Sequence, residues 1–268
     1  MDSVELARKI RRNAVEMTHT SHGSHIASAL SMADIVAVLY NDVMRISPND
    51  SKNDLRDRFI LSKGHSGVAV YAALGEKGFL DKELFKTYYL DGSDLSGHVS
   101  HKNVPGVEFS TGSLGHGLGA GIGMAMAGKI NQKKYRVFVI VGDGECNEGS
   151  IWEGALFANQ YRLSSLCVIV DHNKMQAMGD CEDVMSIAPI ADKWKAFGWN
   201  VSEVDGHDHQ QLKKVLTAEN KDKPLCVIAH TIKGKGVSFM ENNLLWHYRD
   251  PQGEFYEKAV NELGEMQE

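Results

Sequence analysis

Three short apolar runs constrain the fold more than any other feature: residues 136–141 (RVFVIV), 166–170 (LCVIV) and 225–229 (LCVIA). Each is rich in β-branched residues, lacks polar alternation and is bounded by turn or charged residues. A strand covered on both faces reads this way. Residues 59–61 are a weaker fourth candidate. Helical patterns cover 4–17, 32–40, 119–129, 151–160 and 210–219. Strands separated by helices of this length need right-handed crossovers. The expectation is an α/β fold, a doubly wound, mostly parallel sheet with helices on both faces. No repeat or linker divides the chain, so 1-268 reads as a single domain, with 252-268 as a short acidic helix-like tail.

Several function classes fall away on composition. A net charge of −6 argues against a nucleic-acid or anionic-membrane partner. Residues 1–12 are charged and lack the apolar core of a secretory signal. No stretch approaches the roughly 18 apolar residues that a membrane helix needs. Cys146, Cys167, Cys181 and Cys226 are far apart and form no CxxC pair. They predict buried thiols in a reducing, cytoplasmic setting rather than disulfides or zinc.

Ligands of such sheets bind beyond the carboxyl ends of the strands. Gly142-Asp143-Gly144 follows the first run, Asp171-His172-Asn173 the second, and a His-Thr-Ile-Lys-Gly-Lys-Gly segment the third. Gly142 and Gly144 let the backbone approach a ligand, and their amides favour an anion such as phosphate. One helix and one strand separate Asp143 from Asn173, so a crossover returns the two face to face. The carboxylate, the Asn173 amide oxygen and the nearby Met175 carbonyl make half an octahedron for Mg²⁺ or Ca²⁺. Taken alone, Gly-Asp-Gly is as readily a tight turn and Asn173 a turn former.

The full arrangement, GDGECNEG, a helix, then LCVIVDHNKMQ, resembles the thiamine-diphosphate motif. LSKGHSGVAVYAAL (61–74), GVEFSTGSLGHGL (106–118), GDGECNEGSIWEGA (142–155) and HTIKGKGVSFMENNLLWH (230–247) look like successive transketolase signatures in family order. The resemblance covers about 13–251. It implies transfer of a two-carbon ketol unit from a ketose (phosphate) to an aldose (phosphate), with thiamine diphosphate and Mg²⁺ (or Ca²⁺). It also implies that Asp143, Asn173 and the Met175 carbonyl hold the metal, and that Gly142 and Gly144 shape the diphosphate loop. Gly112 and Leu114 would line the aminopyrimidine side. Lys233 would lie near the diphosphate, where a cation suits a ligand more negative than one divalent metal cancels. Glu148 matches a family glutamate at the subunit contact, though a carboxylate there also suits a helix N-terminus.

The same resemblance makes His25, His65, His98 and His247 the substrate-side histidines. Ketol transfer forms and collapses alkoxides, so groups that exchange protons near neutrality are useful there. Two departures, Ile26-Ala27 for the usual Pro-Gly and His116 for the usual glutamine, leave the sugar open.

Full-length transketolases continue into a pyrimidine-binding and a C-terminal domain, and the glutamate that activates the cofactor lies in the former. The expected partner is therefore a C-terminal transketolase subunit, in an assembly with two copies of each chain. Alone, the chain should expose apolar surface and be inactive. Three alternatives rank lower. His19, His22 and His25 could suggest zinc, but the segment offers no fourth ligand. Residues 115–120 satisfy a dinucleotide pattern, GxGxxA, as in an NAD-dependent oxidoreductase, but residues 108–111 are too short and polar for the strand that should precede it. A catalytically silent thiamine-diphosphate-binding regulatory module would have little reason to keep buried polar groups.

Overall fold

The computed structural model describes residues 1–264. Five strands, β1 (Arg58–Leu61), β2 (Val137–Gly142), β3 (Leu166–His172), β4 (Asn200–Asp205) and β5 (Leu225–His230), form one sheet in the order β1-β2-β3-β5-β4. Every pairing is parallel. The helices are α1 (Ser3–Ser21), α2 (Ile26–Ser31), α3 (Ala33–Val38), α4 (Gly67–Glu76), α5 (His116–Ile130), α6 (Gly149–Gln160), α7 (Cys181–Met185), α8 (Ile190–Ala196), α9 (His209–Thr217) and α10 (Glu254–Leu263).

Alternate side chains of one strand enter different cores. Phe138, Ile140, Ile169 and Val227 pack under α1–α4, α9 and α10, whereas Val139, Val141, Val168 and Ile228 pack under α5, α6 and α8. Both faces are dry, which is why the runs show no alternation. With both faces apolar, the in-out pattern cannot fix strand register. Buried carboxylates at the strand ends supply that information. Asp57, fully buried before β1, accepts the backbone N–H of Arg45 and of Arg136 at 2.9 and 2.8 Å, and both guanidinium groups.

Several elements differ from the pattern reading, which passed over α4, α7 and α8 altogether. β4 is an edge strand with half of its residues exposed, so it shows no apolar run. The run 32–40 is not one helix: α2 and α3 meet at Met32, and α3 ends in a π-helical turn over Leu39–Val43. The segment from 252 onward carries the expected helix, which packs on the domain. α10 buries Ala259 and Leu263 in the core, and Arg8 and Arg12 cap its carbonyls at Leu263, Val260 and Gly264. Residues 265–268 of that expected tail lie outside the described residues.

α5 packs a stripe of small residues, Gly117, Gly121 and Ala125, inward. A Cβ at Gly121 would stand 2.5 Å from Val139 Cγ2. Residues 108–111 form no strand before this helix, so the dinucleotide pattern lacks its context. All four cysteines are free and buried. Among the described residues, no helix is long and apolar enough to cross a membrane.

Candidate active site

The carboxyl ends of β1, β2, β3 and β5 converge on a cavity of about 190 Å³. It is bordered by Leu114, Gly142, Asp143, Gly144, Asn173, Met175 and Lys233, together with His65 and His247. These are all residues that the sequence singled out. Ser28, Lys63, Glu145 and Gln176 border it as well and were not.

Asp143 is 2% exposed and follows β2 directly. Its Oδ1 accepts the N–H of Gly144 at 2.7 Å and its Oδ2 that of Lys174 at 2.6 Å. The second bond ties the β2 turn to the β3 turn and brings the carboxylate beside Asn173. Burial, and next the charge of Asp171, push the Asp143 carboxyl up to about 6. It is therefore ionised at neutral pH at a cost that a nearby cation would remove. Asn173 donates its Nδ2 to Asp171 Oδ2 at 3.2 Å, which orients the amide. Its Oδ1 accepts the Met175 N–H at 3.1 Å. One carboxylate, one amide oxygen and one main-chain carbonyl form a hard donor set suited to Mg²⁺ or Ca²⁺, with the remaining positions left to a ligand and water.

Lys233 is 1% exposed, and its Nζ lies 3.4 and 3.1 Å from the carbonyls of Met175 and Gln176. Its loop is pinned: Gly234 N–H bonds the Ala27 carbonyl at 2.9 Å, with Gly234 in the left-handed region at φ 82°. Burial, and next the charge of Lys63, lower the Lys233 amine to about 8. Both lysines border the cavity, but Lys63 is paired with Asp171. The expected anion-binding amides of Gly142, Asp143 and Gly144 are each bonded within the protein, to Glu145, Asp171 and Asp143, which leaves Lys233 as the cation for a ligand. The residues fit a diphosphate held on a divalent cation.

The histidines gather as the sequence implied. His25 lies at the centre, with ring centroids 5.1 Å from His65, 4.9 Å from His247 and 5.9 Å from His98. A left-handed His25 (φ 70°) turns the chain between α1 and α2, and its N–H bonds the His247 carbonyl at 2.9 Å. Burial first, then neighbouring rings and lysines, lower His25 to about 4 and His247 to about 3. His65 is also held well below its usual value by burial and Lys63. All three rings are neutral at pH 7, so each has one N–H to give and one nitrogen to accept. His247 Nδ1 is buried without a protein partner among the described residues. His98 is exposed and sits at the rim, 3.7 Å from where a Cβ on Gly112 would lie. Gly112 thus joins the histidine side, and Leu114 the cavity wall.

Other histidines diverge. His19 bonds the Pro251 carbonyl and stacks on Tyr256, and His22 pairs with Asp250, so neither shares a centre with His25. Glu148 is exposed at the N-cap of α6, with no side-chain capping bond. A wider cleft of about 960 Å³ adjoins the far side of the Asn173–Met175 segment, lined by His172, His207 and His230.

Residues 3–250 match the family model described as transketolase, thiamine diphosphate binding domain. The chain is 44% identical to an apulose-4-phosphate transketolase subunit of Phocaeicola vulgatus, covering 99% of this chain and 95% of that one. It is 38% identical to a 6-deoxy-6-sulfo-D-fructose transketolase subunit of a Clostridium species, covering 98% and 96%. Against human transketolase the identity is 36% over 97% of this chain, but the match spans only 41% of that protein. The crystal structure of Campylobacter jejuni transketolase superposes with a TM-score of 0.91 at 27% identity, over 97% of this chain and 42% of that one. Fold, motif positions and relatives agree that the chain belongs to the transketolase family, as its N-terminal, thiamine-diphosphate-binding part.

Proposed function

We propose that this chain is the diphosphate- and metal-binding subunit of a two-chain transketolase. It would transfer a ketol unit from a ketose or ketose phosphate to an aldose or aldose phosphate once a C-terminal subunit completes the site. One observation carries this reading. The Asp143–Asn173–Met175 donor set and Lys233 border the same cavity as His65 and His247, whose rings pack against His25. An anchor for an anion and rings that manage protons thus share one site.

Bound thiamine diphosphate supplies the carbon nucleophile that accepts the two-carbon unit. Asp143, the Asn173 amide and the Met175 carbonyl would hold the metal, Mg²⁺ in the cell, and Lys233 would take remaining phosphate charge. Gly112 and Leu114 flank the organic part. His25, His65 and His247 give and take protons at the substrate hydroxyls. Their low basicity comes partly from Lys63 and Lys233. An anion that offsets those charges raises the rings toward neutrality, where proton exchange is efficient. The site therefore becomes a better acid–base system when it is loaded.

Two features support a separate partner. The names of the Phocaeicola and Clostridium relatives describe subunits. Apolar side chains also stand exposed around the cavity mouth and along α6: Met178 (76%), Tyr248 (62%), Leu156 (61%) and Phe157 (42%). Exposed apolar side chains of this kind suit a protein interface, in an assembly of two copies of each chain. Those relatives act on different sugars, so the donor ketose is to be found by assay, with apulose 4-phosphate, 6-deoxy-6-sulfofructose and an unbranched ketose phosphate compared.

The test is donor consumption and aldose release with thiamine diphosphate and Mg²⁺, by the chain alone and mixed with a candidate C-terminal subunit. Activity in the mixture alone, lost in Asp143→Ala, is the expected outcome. Full activity of the lone chain would refute the two-chain reading.

A further inference from the structure

Glu145 follows the Gly-Asp-Gly turn, is 2% exposed, and borders the cavity, yet neither metal nor proton chemistry needs it. Its Oε2 accepts the N–H of Gly142 at 3.0 Å, within its own loop. Its Oε1 accepts the N–H of Gly115 at 2.8 Å and the Ser62 hydroxyl at 2.5 Å. The Ser62 oxygen in turn accepts the N–H of Gly117 at 3.1 Å. From the start of α6, Ser150 donates to the Gly115 carbonyl at 2.9 Å. Gly115 is thus held at both its N–H and its C=O by residues that follow the Gly-Asp-Gly turn. Its left-handed conformation (φ 81°) and the 2.8 Å approach of Glu148 Cβ leave no room for a side chain.

Only a carboxylate offers acceptors on both oxygens, and here every donor comes from a different turn of the site. Burying the charge is tolerable because three donors satisfy it. The two loops joined in this way meet different parts of one ligand. Residues 142–144 face the diphosphate, and residues 112–114 flank the organic end. We propose that Glu145 is a positioning residue that sets the separation of these two loops, and so matches the site to the length of thiamine diphosphate. The inference rests on the function proposed above.

Glu145→Gln tests it with little change of shape. The Gln amide keeps one acceptor but turns an NH₂ group toward a backbone N–H, so one of the two links is lost. Binding to the full chain would be measured by calorimetry with Mg²⁺ present, using thiamine diphosphate and inorganic diphosphate as separate probes. The expected result is a dissociation constant for thiamine diphosphate raised about tenfold or more, as for other outer-shell positions. That for inorganic diphosphate, which needs only one loop, should change far less. Equal weakening of both ligands, or of neither, would overturn the inference. If wild type binds neither probe, the proposed function itself falls and this inference with it. Should Glu145→Gln fail to fold, Ser150→Ala frees the Gly115 carbonyl alone. The same selective loss of thiamine diphosphate is expected there, and parallel loss of both probes would count against the proposal.

Discussion

The Lys63 ammonium and the Asp171 carboxylate lie 2.5 Å apart, with side chains 2% and 0% exposed. Burial alone would raise the Asp171 carboxyl. The Lys63 charge, then hydrogen bonds from Lys63, Ser31 and Thr231, overcome it and hold the group below the usual carboxylate range. Asp171 also receives the Asn173 amide, so the pair joins the sheet to a residue of the donor set.

Removing either partner of this pair leaves a buried charge alone. Asp171→Ala and Lys63→Met should each destabilise the chain by about 3–5 kcal/mol. The double variant should lose less than the sum, because no unpaired charge remains. Denaturant unfolding of all four proteins in one cycle measures the coupling. Strictly additive losses would mean that the two charges do not depend on one another.

Asp143 presents the opposite case, a carboxylate kept at a cost. Its raised pKa of about 6 means that the folded state binds a proton more tightly than the unfolded chain does. Its contribution to stability therefore falls as pH rises from about 4 to 6. Asn is nearly the same shape and carries no charge. Asp143→Asn removes the charge cost but sets its NH₂ group against the Gly144 or Lys174 N–H, so the ligand-free stability at pH 7 should rise by no more than about 1 kcal/mol. It should also abolish metal-dependent binding of thiamine diphosphate. A melting curve and a binding isotherm on the same sample decide this, and loss of binding together with loss of stability would contradict it.

Three depressed histidines act in the reverse direction. His25, His65 and His247 are neutral when folded but take up protons near pH 6.5 when unfolded. Between pH 6.5 and about 4 the unfolded state binds more protons, so stability rises with pH across that window. After discounting for partial exposure, His25 and His247 should each cost about 1 kcal/mol at pH 5. With His65 acting in the same direction, the three outweigh Asp143 by about 1 kcal/mol, so the ligand-free melting temperature should fall by about 2–4 °C from pH 7 to 5. The fall should be steeper in Asp143→Asn, where the opposing carboxyl is gone. A melting temperature flat across this range would show that the rings are not buried as neutral species.

Some of this was legible in the residues and some was not. Asp143 and Asn173 could be found because each directly ends a strongly apolar strand, and the crossover between them has a fixed reach. β4 could not, because an edge strand that is half solvated has no apolar signature. Lys63 and Asp171 had a signal that single-strand reading passes over. Ser-Lys-Gly-His begins at the end of β1, and a charged residue sits inside the last turn of LCVIVDH. Either alone looks like an ordinary strand terminus, and only the strand order brings the two within bonding distance. Glu145 was hidden for a similar reason, since its partners at Ser62 and Gly115 belong to other turns.

Glycines of α5 fall into two sets, one packed against the chain and one open. A Cβ at Gly117 would stand 2.5 Å from Ser62 Oγ and 2.7 Å from its Cα, and one at Gly121 would collide with Val139. Gly119 and Gly123, by contrast, meet nothing within 4 Å. Gly117→Ala and Gly121→Ala should therefore destabilise the chain. Gly123→Ala should stabilise it by about 0.5–1 kcal/mol, the ordinary gain from replacing glycine in a helix. If a second subunit closes on this side of the helix, the same methyl group occupies its contact. Gly123→Ala would then weaken assembly with a C-terminal chain even as the lone chain grows more stable. Thermal melting and a titration of the partner, run on one preparation, measure the two effects separately. Improved stability with unchanged partner affinity would place the interface elsewhere, on the exposed side chains of α6.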